Sequence, residues 1–385
     1  MNISIKAKVI LVVFVSLSLA ASSIIYFINN SYNNNINIIA EQSLKIANES
    51  FNNLEKNDAK MLSAAIDIII SDKEIQEVFA SKNREKLIQL TTPLYKTLKE
   101  RYGITHWYFL NTEDKGTCFL RVHKPARFDD VVKRKTYMNS IATKGFGVGK
   151  ELGKTAFALR VVHPFTDSAG KLMGYIELGE EIDHFIDLVK IQSGNEITML
   201  ISKQFLDEKE WGNIQSGKGL KNNWGDLKDM LVVGSTYNDK TLVNADVKLE
   251  DISDNGVVMG IEHQNNKYFT KGIIPVYDAN KTKVGGLLIL KDITPLYVEM
   301  SAAKQKTILV VMLLVAVLCG IIIMILNNLI FKRLAFTMQV LTRVVGGDFT
   351  TRIPVTADDE IGKFESLLES FRNLFINSIK EFIKE

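Results

Sequence analysis

Two apolar runs limit what this chain can be. Residues 9–28 (VILVVFVSLSLAASSIIYFI) and 308–326 (ILVVMLLVAVLCGIIIMIL) carry no charged side chain. At 1.5 Å per residue each makes a helix of about 30 Å, the thickness of a bilayer's hydrocarbon core. Ala20 and Ala21 offer small residues where a secretory leader would be cut. The apolar stretch nevertheless continues through Ile24, Ile25, Tyr26, Phe27 and Ile28, which outruns a leader's core and places Tyr26 and Phe27 as interfacial anchors. Both runs are therefore read as transmembrane helices. Lys6 and Lys8 precede the first and Lys332 and Arg333 follow the second. Positive charge stays on the cytoplasmic side, so both termini are expected there. The expected location is the cell (inner) membrane, multi-pass. The roughly 280 residues between the spans are then extracytoplasmic, because long domains cross regardless of their own charge.

Other classes are excluded by composition and motif. A net charge of +3, with no basic stripe interleaved with aromatics, gives no reason to expect nucleic acid. Cys118 lies in the middle region and Cys319 in an apolar run, so no disulfide is expected. Histidines stand at 106, 123, 163, 184 and 263; none are four apart and no HExxH occurs, so no metal site is expected. Haem attachment (CxxCH), a Walker loop and a nucleophile elbow are missing from the sequence. The segment GFGVGKELGK at 145–154 lacks the GK[ST] ending of a phosphate loop and is read as a loop. No catalytic residue, no cofactor and no enzyme are expected. No histidine follows the second span, so a kinase phosphoacceptor is lacking. The chain is expected either to be part of a longer receptor or to hand its signal to a cytoplasmic signalling protein.

After the second span, Leu334, Met338, Leu341 and Val345 form one helical stripe. Gly346 and Gly347 break it. Residues 348–359 (DFTTRIPVTADD) read as a connector, anchored by Ile353 and Val355, with Pro354 blocking a helix. A second helix carries Ile361, Phe364, Leu368, Phe371, Phe375, Ser378 and Phe382 at coiled-coil spacing. Two heptad helices around an extended connector, with GGDF and DDEIG at its two ends, resemble the HAMP domain. FKRLA at 331–335 departs from it by lacking an early proline. The resemblance implies that Asp348, Pro354, Glu360, Ile361 and Gly362 relay the signal, and that two copies form a parallel four-helix bundle, hence a homodimer.

Outside the membrane, Leu44, Ala47, Phe51, Leu54, Asp58, Met61, Ala65 and Ile68 mark a long helix by their three-four repeat. A second helix is expected over 72–102, stopped by Gly103. Strands are expected at 104–110, 117–123, 157–163, 173–179, 196–202, 256–262, 266–276 and 283–291, with a turn at NTEDKG between the first two. Residues 157–182 (FALRVVHPFTDSAGKLMGYIELGEEI) align without gaps on 268–293 (YFTKGIIPVYDANKTKVGGLLILKDI), matching Pro164 with Pro275, Asp167 with Asp278, Gly174 with Gly285 and Ile182 with Ile293. Two copies of one module are implied. A long helix followed by two such modules between spans resembles the double-Cache sensor domain, whose modules are PAS-like. The stretches HWYFLNTEDKGTCFLRVHKPARFDD and TAFALRVVHPF resemble the form found in bacterial sensor kinases and chemoreceptors. The fold class is thus α+β.

Alternation along strands places Phe119, Arg121 and His123 on one face. Pairing across the six-residue turn sets Leu110 opposite Thr117 and His106 opposite Arg121, with Tyr108 on the same face. In a PAS-like module Arg160, Tyr175 and Glu177 line that side, and Arg134 and Tyr137 close over it. Arginine's planar fork suits a carboxylate, so a small organic anion is the expected ligand of this first, membrane-distal module. A purely structural network, with Arg160 paired to Glu177 and Arg121 stacked on aromatics, stands beside that reading. Glu262, His263, Lys267, Tyr268 and Lys271 of the second module are taken as solvated or supportive.

The expected organisation is a cytoplasmic N-terminus (1–8), a span (9–28), a sensor domain (29–307, modules near 70–190 and 191–300), a second span (308–326) and a HAMP domain (327–385). The expected function is sensing a small extracytoplasmic molecule and relaying it inward, with chemotaxis signalling placed ahead of a sensor kinase. The alternative is a structural assembly protein of the polysaccharide chain-length regulator type.

Overall fold

The computed structural model describes residues 4–112, 116–153, 157–243 and 247–384, with side chains to 381. The middle of the NTEDKG turn, Thr155 and Ala156 of the TAFALRVVHPF stretch, and the side chain of Phe382 lie outside them. The chain divides into two compact units, Asn34–Tyr297 and the segments flanking it.

The first unit is built on the part of α1 (Ile5–Ser71) that follows Asn33. Leu44, Ala47, Phe51 and Leu54 of this helix are buried as the three-four repeat predicts. Beyond Asp58 the buried face moves to Leu62, Ile66 and Ile69, and Ile68 is 72% exposed. A straight helix repeats at 3.6 residues, so a strict 3.5-residue pattern drifts off the face it started on. Leu62 stands about five turns beyond Leu44 and returns to it. In place of one helix over 72–102 there are two, α2 (Lys73–Ala80) and α3 (Arg84–Tyr102). Lys82 takes a positive φ of 55°, and Asn83 restarts the helix by accepting the Lys86 N–H at 3.0 Å. Gly103 ends α3 in the left-handed region, as expected.

Two five-stranded sheets follow. The first holds β1 (His106–Asn111), β2 (Cys118–Arg121), β3 (Gly147–Leu152), β4 (Phe157–Thr166) and β5 (Leu172–Glu181), in the order β2-β1-β5-β4-β3. The second holds β6 (Glu196–Ser202), β7 (Met230–Ser235), β8 (Val257–Gln264), β9 (Lys267–Tyr277) and β10 (Lys283–Asp292), in the order β7-β6-β10-β9-β8. The equivalent orders are what an internal repeat requires. The hairpin turns match in chemistry as well. Asp167 accepts the N–H groups of Ala169 and Lys171, and Asp278 those of Asn280 and Thr282, at 2.8–2.9 Å.

One expectation is corrected here: residues 147–152 are not loop but the edge strand β3, paired with β4 from Gly147↔Val162 to Leu152↔Phe157. Helix α4 (Lys135–Thr143) lies against this strand. The approach is so close that a Cβ on Gly147 would stand 1.9 Å from the Thr136 carbonyl oxygen. Gly147 and Gly149, two of the glycines that look like a phosphate loop, are there for packing. Strand β7 carries no clear alternation and was not expected. Around the second sheet lie α5 (Phe185–Ser193), α6 (Glu208–Gly217) and the short α7 (Lys240–Val243). One core joins the buried face of α1 to Trp107, Phe109, Ile176 and Leu178 of the first sheet and to Ile197, Met199 and Leu287 of the second.

In the flanking unit, α8 (Thr294–Leu326) passes through a π turn (Asn327–Phe331) into α9 (Lys332–Val345). Among the described residues two continuous helices, Ile5–Ser71 and Thr294–Val345, are long and apolar enough to cross a membrane. Helix α10 (Glu360–Lys384) is joined to α9 by Arg333, which pairs with Asp359 at 2.7 Å and Glu365 at 2.8 Å. Of the residues expected to relay a signal, Asp348 accepts the Thr350 N–H at 3.0 Å, and Pro354 lies in the non-helical connector. Glu360 and Ile361 open α10. Gly362 donates its N–H to Asp359 at 2.7 Å, and a Cβ there would lie 1.7 Å from the Ala357 carbonyl oxygen. Glycine is required at that helix start. Phe364, Phe371 and Phe375 are exposed.

Candidate ligand-binding site

Side chains alternate across the first sheet, so the face away from α1 carries Tyr108, Leu110, Val162, Tyr175 and Glu177. Pairing sets Arg121, Tyr108, Glu177 and Val162 in one row across four strands. The expected register is therefore corrected: Tyr108, not His106, stands opposite Arg121, and Leu110 opposite Cys118. The difference at Arg121 is two residues: one is present already at Leu110, which meets Cys118 where Thr117 was expected, and a bulge between Phe109 and Leu110 adds the second, since one extra residue shifts all pairing beyond it.

Three guanidinium groups converge on the Tyr108 ring, those of Arg134 at 4.7 Å, Arg121 at 5.2 Å and Arg160 at 5.8 Å from its centroid. Cation–π attraction to the electron-rich ring face favours this placement. Arg160 reaches across Gly179, whose missing side chain leaves the space, and donates to Glu177 Oε1 at 2.7 Å. Arg134, from the segment leading into α4, donates to the same oxygen and to the Tyr108 hydroxyl, the latter at 3.2 Å. The Arg160–Glu177 pair expected of a structural network is thus present, with a second arginine added to it. The fork of Arg121 is filled in two parallel bonds by Asp130, at 2.5 and 2.6 Å. Asp130 had no sequence signature, because its partner is fixed only by the chain's return beside β2.

The other expected residues also collect here. His106 stacks parallel to Tyr108 at 6.3 Å, and His123 stands edge-on to both rings at 4.9 Å. His123 lies beyond the end of β2, where its Nδ1 accepts the Trp107 N–H at 3.2 Å. Tyr137 and Tyr175 meet edge to face at 5.0 Å.

Electrostatically the cluster is one-sided. Burial, then the positive charge of Arg160, pushes His106 down to about 2. Burial also brings His123 down to about 4, with Arg160 and Arg121 adding to the effect. Both imidazoles are neutral at physiological pH. Burial would raise Glu177, but Arg134 and Arg160 outweigh it and hold the carboxyl below its ordinary range. Three arginines therefore face two carboxylates, leaving one positive charge in surplus. Glu177 Oε2 finds no hydrogen-bond partner among the described residues.

The two histidines predict a pH dependence. The unfolded chain takes up their protons as pH falls through about 6.5, while the folded state does not until about 4 or lower. Stability therefore falls as pH drops below 6.5, by about 3 kcal/mol for His123 alone at pH 4. It is level above pH 7 as far as these groups are concerned. Denaturant unfolding of wild type and His123→Gln across pH 4–7 should show a shallower slope in the variant.

The second module offers no such site. Register places Thr198, Lys271 and Leu288 where the first module has Tyr108, Arg160 and Glu177. Leu200, Met230, Ile252, Ile273 and Leu288 fill that face with an apolar cluster. A cavity of about 770 Å³ does lie between the modules, beside Phe157, Trp211 and Val232. Its size exceeds that of the 300 Å³ cavity lined by Val132, Arg134, Tyr137 and Asn280. Chemistry favours the smaller one, since it borders the charge surplus.

Residues 40–297 match the family described as the double sensory domain of two-component sensor kinases. The chain belongs to that double-Cache family. This double sensory domain is the extracytoplasmic part of a membrane receptor, and the structural assembly reading falls away. Among solved structures, the periplasmic domain of Vibrio cholerae LuxQ is 9% identical, covering 65% of this chain and 98% of that one at a TM-score of 0.37. The ligand-binding domain of the Campylobacter jejuni chemoreceptor Tlp3, in complex with L-norvaline, is 14% identical, covering 64% and 92% at 0.30. A methyl-accepting chemotaxis protein X is 11% identical, covering 68% and 99% at 0.34. No curated protein matches the chain.

Proposed function

We propose that the first module of this double sensory domain binds a small organic anion of the carboxylate class, and that binding is relayed to the cytoplasm. The observation that carries this is the surplus guanidinium charge around Tyr108, next to a cavity lined by Arg134 and Tyr137. A bound carboxylate supplies the missing negative charge and fills the fork of Arg134 or Arg160.

The relay we infer begins at the same cavity. Asn280, in the turn between β9 and β10, lines it, and the neighbouring Ala279 N–H donates to the Lys150 carbonyl of β3 at 2.7 Å. Strand β10 then leads through Asp292, which accepts the Thr294 N–H at 2.9 Å, into α8. A shift of α4 over the anion is thereby passed to the hairpin and along α8. A ligand moves such an equilibrium by the ratio of its affinities for the two states.

In this reading both long apolar helices cross the cell membrane and both termini are cytoplasmic. Residues 327–385 act as a HAMP-like relay without catalytic activity of their own. A second copy of the chain covers Phe364, Phe371 and Phe375. The output proposed for this relay is chemotaxis signalling, with a two-component sensor kinase next.

The test is thermal unfolding of the full chain in detergent against a panel of small carboxylates, amines and amino acids. Carboxylates should raise Tm by several degrees. Arg134→Ala should abolish the rise, and Lys271→Ala in the second module should leave it intact. A rise that survives in Arg134→Ala, or that amines produce equally, refutes the assignment.

A further inference from the structure

Asp58, Glu180 and His184 come from three separate elements, α1, the end of β5 and the 3-10 turn Ile182–His184. Their potential ligand atoms lie within 4.8 Å of one another. Glu180 is only 1% exposed, and its Oε1 has no hydrogen-bond partner among the described residues. The charged neighbour it meets is a second carboxylate, that of Asp58. A buried carboxylate facing another is held at a cost unless a positive charge enters between them.

His184 is oriented to contribute to that charge's coordination. Its Nδ1–H donates to the Glu181 carbonyl at 3.0 Å. This fixes the tautomer and leaves the lone pair on Nε2, which lies 3.7 Å from Asp58 Oδ2. Histidine ligands to metals are held in this way, by a backbone carbonyl on the far nitrogen.

We infer that Asp58, Glu180 and His184 bind a divalent transition-metal cation that fastens α1 to the first sheet. Two carboxylates with one imidazole suit zinc-like ions, whereas calcium and magnesium prefer oxygen alone. Ligand bonds of about 2.0–2.2 Å require the donors to draw in by about an ångström. His184, 46% exposed at its side chain, has the freedom to do so. Its exposure also leaves the outer coordination positions to water. Histidine spacing along the sequence gives no sign of this cluster, because it detects only ligands that share one helix.

The experiment uses the full chain in detergent, stripped with a chelator and titrated with ZnCl2 in competition with a chromophoric chelator. One tight Zn²⁺ per chain and a raised Tm are expected. His184→Ala, at an exposed position that does not endanger the fold, should weaken binding more than the about 10–100-fold that loss of an outer partner costs. Glu180→Gln, which keeps the buried shape, should abolish the Zn²⁺-dependent rise in Tm. Lack of saturable binding in the wild type, or unchanged affinity in both variants, overturns the proposal and leaves the two carboxylates sharing a proton.

Discussion

Replacing Glu177 by alanine is expected to destabilise the sensory domain by about 3–5 kcal/mol, the cost of breaking a buried ion pair from one side. Glu177 is fully buried and is the shared counter-charge of Arg134 and Arg160. Its loss leaves two guanidinium groups repelling each other over Tyr108, in a region of low dielectric where unpaired charge is poorly tolerated. The unfolding transition of the full chain in denaturant measures the loss. A variant within 1 kcal/mol of wild type would mean that the arginines are not held by this carboxylate. The same variant probes the ligand chemistry. The space vacated by the side chain is lined by the surplus charge, so millimolar acetate or propionate should raise the variant's Tm more than the wild type's. Chloride at equal ionic strength should not reproduce that effect.

Gly174→Ala should cost as much or more. The glycine sits in β5 opposite Asn111 of β1, and a Cβ there would lie 2.2 Å from the Leu110 carbonyl oxygen and 2.8 Å from the Phe79 ring. Neither neighbour can yield, since one is backbone in the central strand pair and the other is packed against Phe109 and Phe165. The loss is expected to reach or exceed the ~3 kcal/mol at the upper end of ordinary overpacking. Because Gly285 occupies the same place in the second module, 2.0 Å from the Leu200 carbonyl oxygen, Gly285→Ala should behave alike. Gly217→Ala, with open space around it, should stay within about 1 kcal/mol of wild type. If all three variants were equally mild, the β1–β5 and β6–β10 spacing would have to be looser than described.

The strongest sequence signals were local or repeated. The apolar runs, the stripe on α1 as far as Leu54 and the eight strand segments each rest on a pattern within one segment, and the doubled module rests on the gapless match of 157–182 on 268–293. Helical and strand periods are set by the backbone itself, so the α+β class and the doubled module could be read before any contact was known. The resemblance to a PAS-like module is what put Arg160, Tyr175 and Glu177 on the side shared with Tyr108.

Tertiary structure decided the features that depend on which distant segments meet. A one-residue shift at Leu110 and the bulge after Phe109 together set Tyr108 in place of His106 opposite Arg121, and one-residue irregularities leave no mark in a pattern of alternation. Asp130 enters the cluster on a segment without periodicity. The glycines of 145–154 resembled a phosphate loop until α4 was seen to require Gly147. Asp58, Glu180 and His184 converge from separate elements. The sequence by itself determined the elements and their duplication, because those follow from covalent geometry and side-chain patterning. Which charges share a buried face was set only by folding, because pairing register and chain return are global properties of the packed sheet.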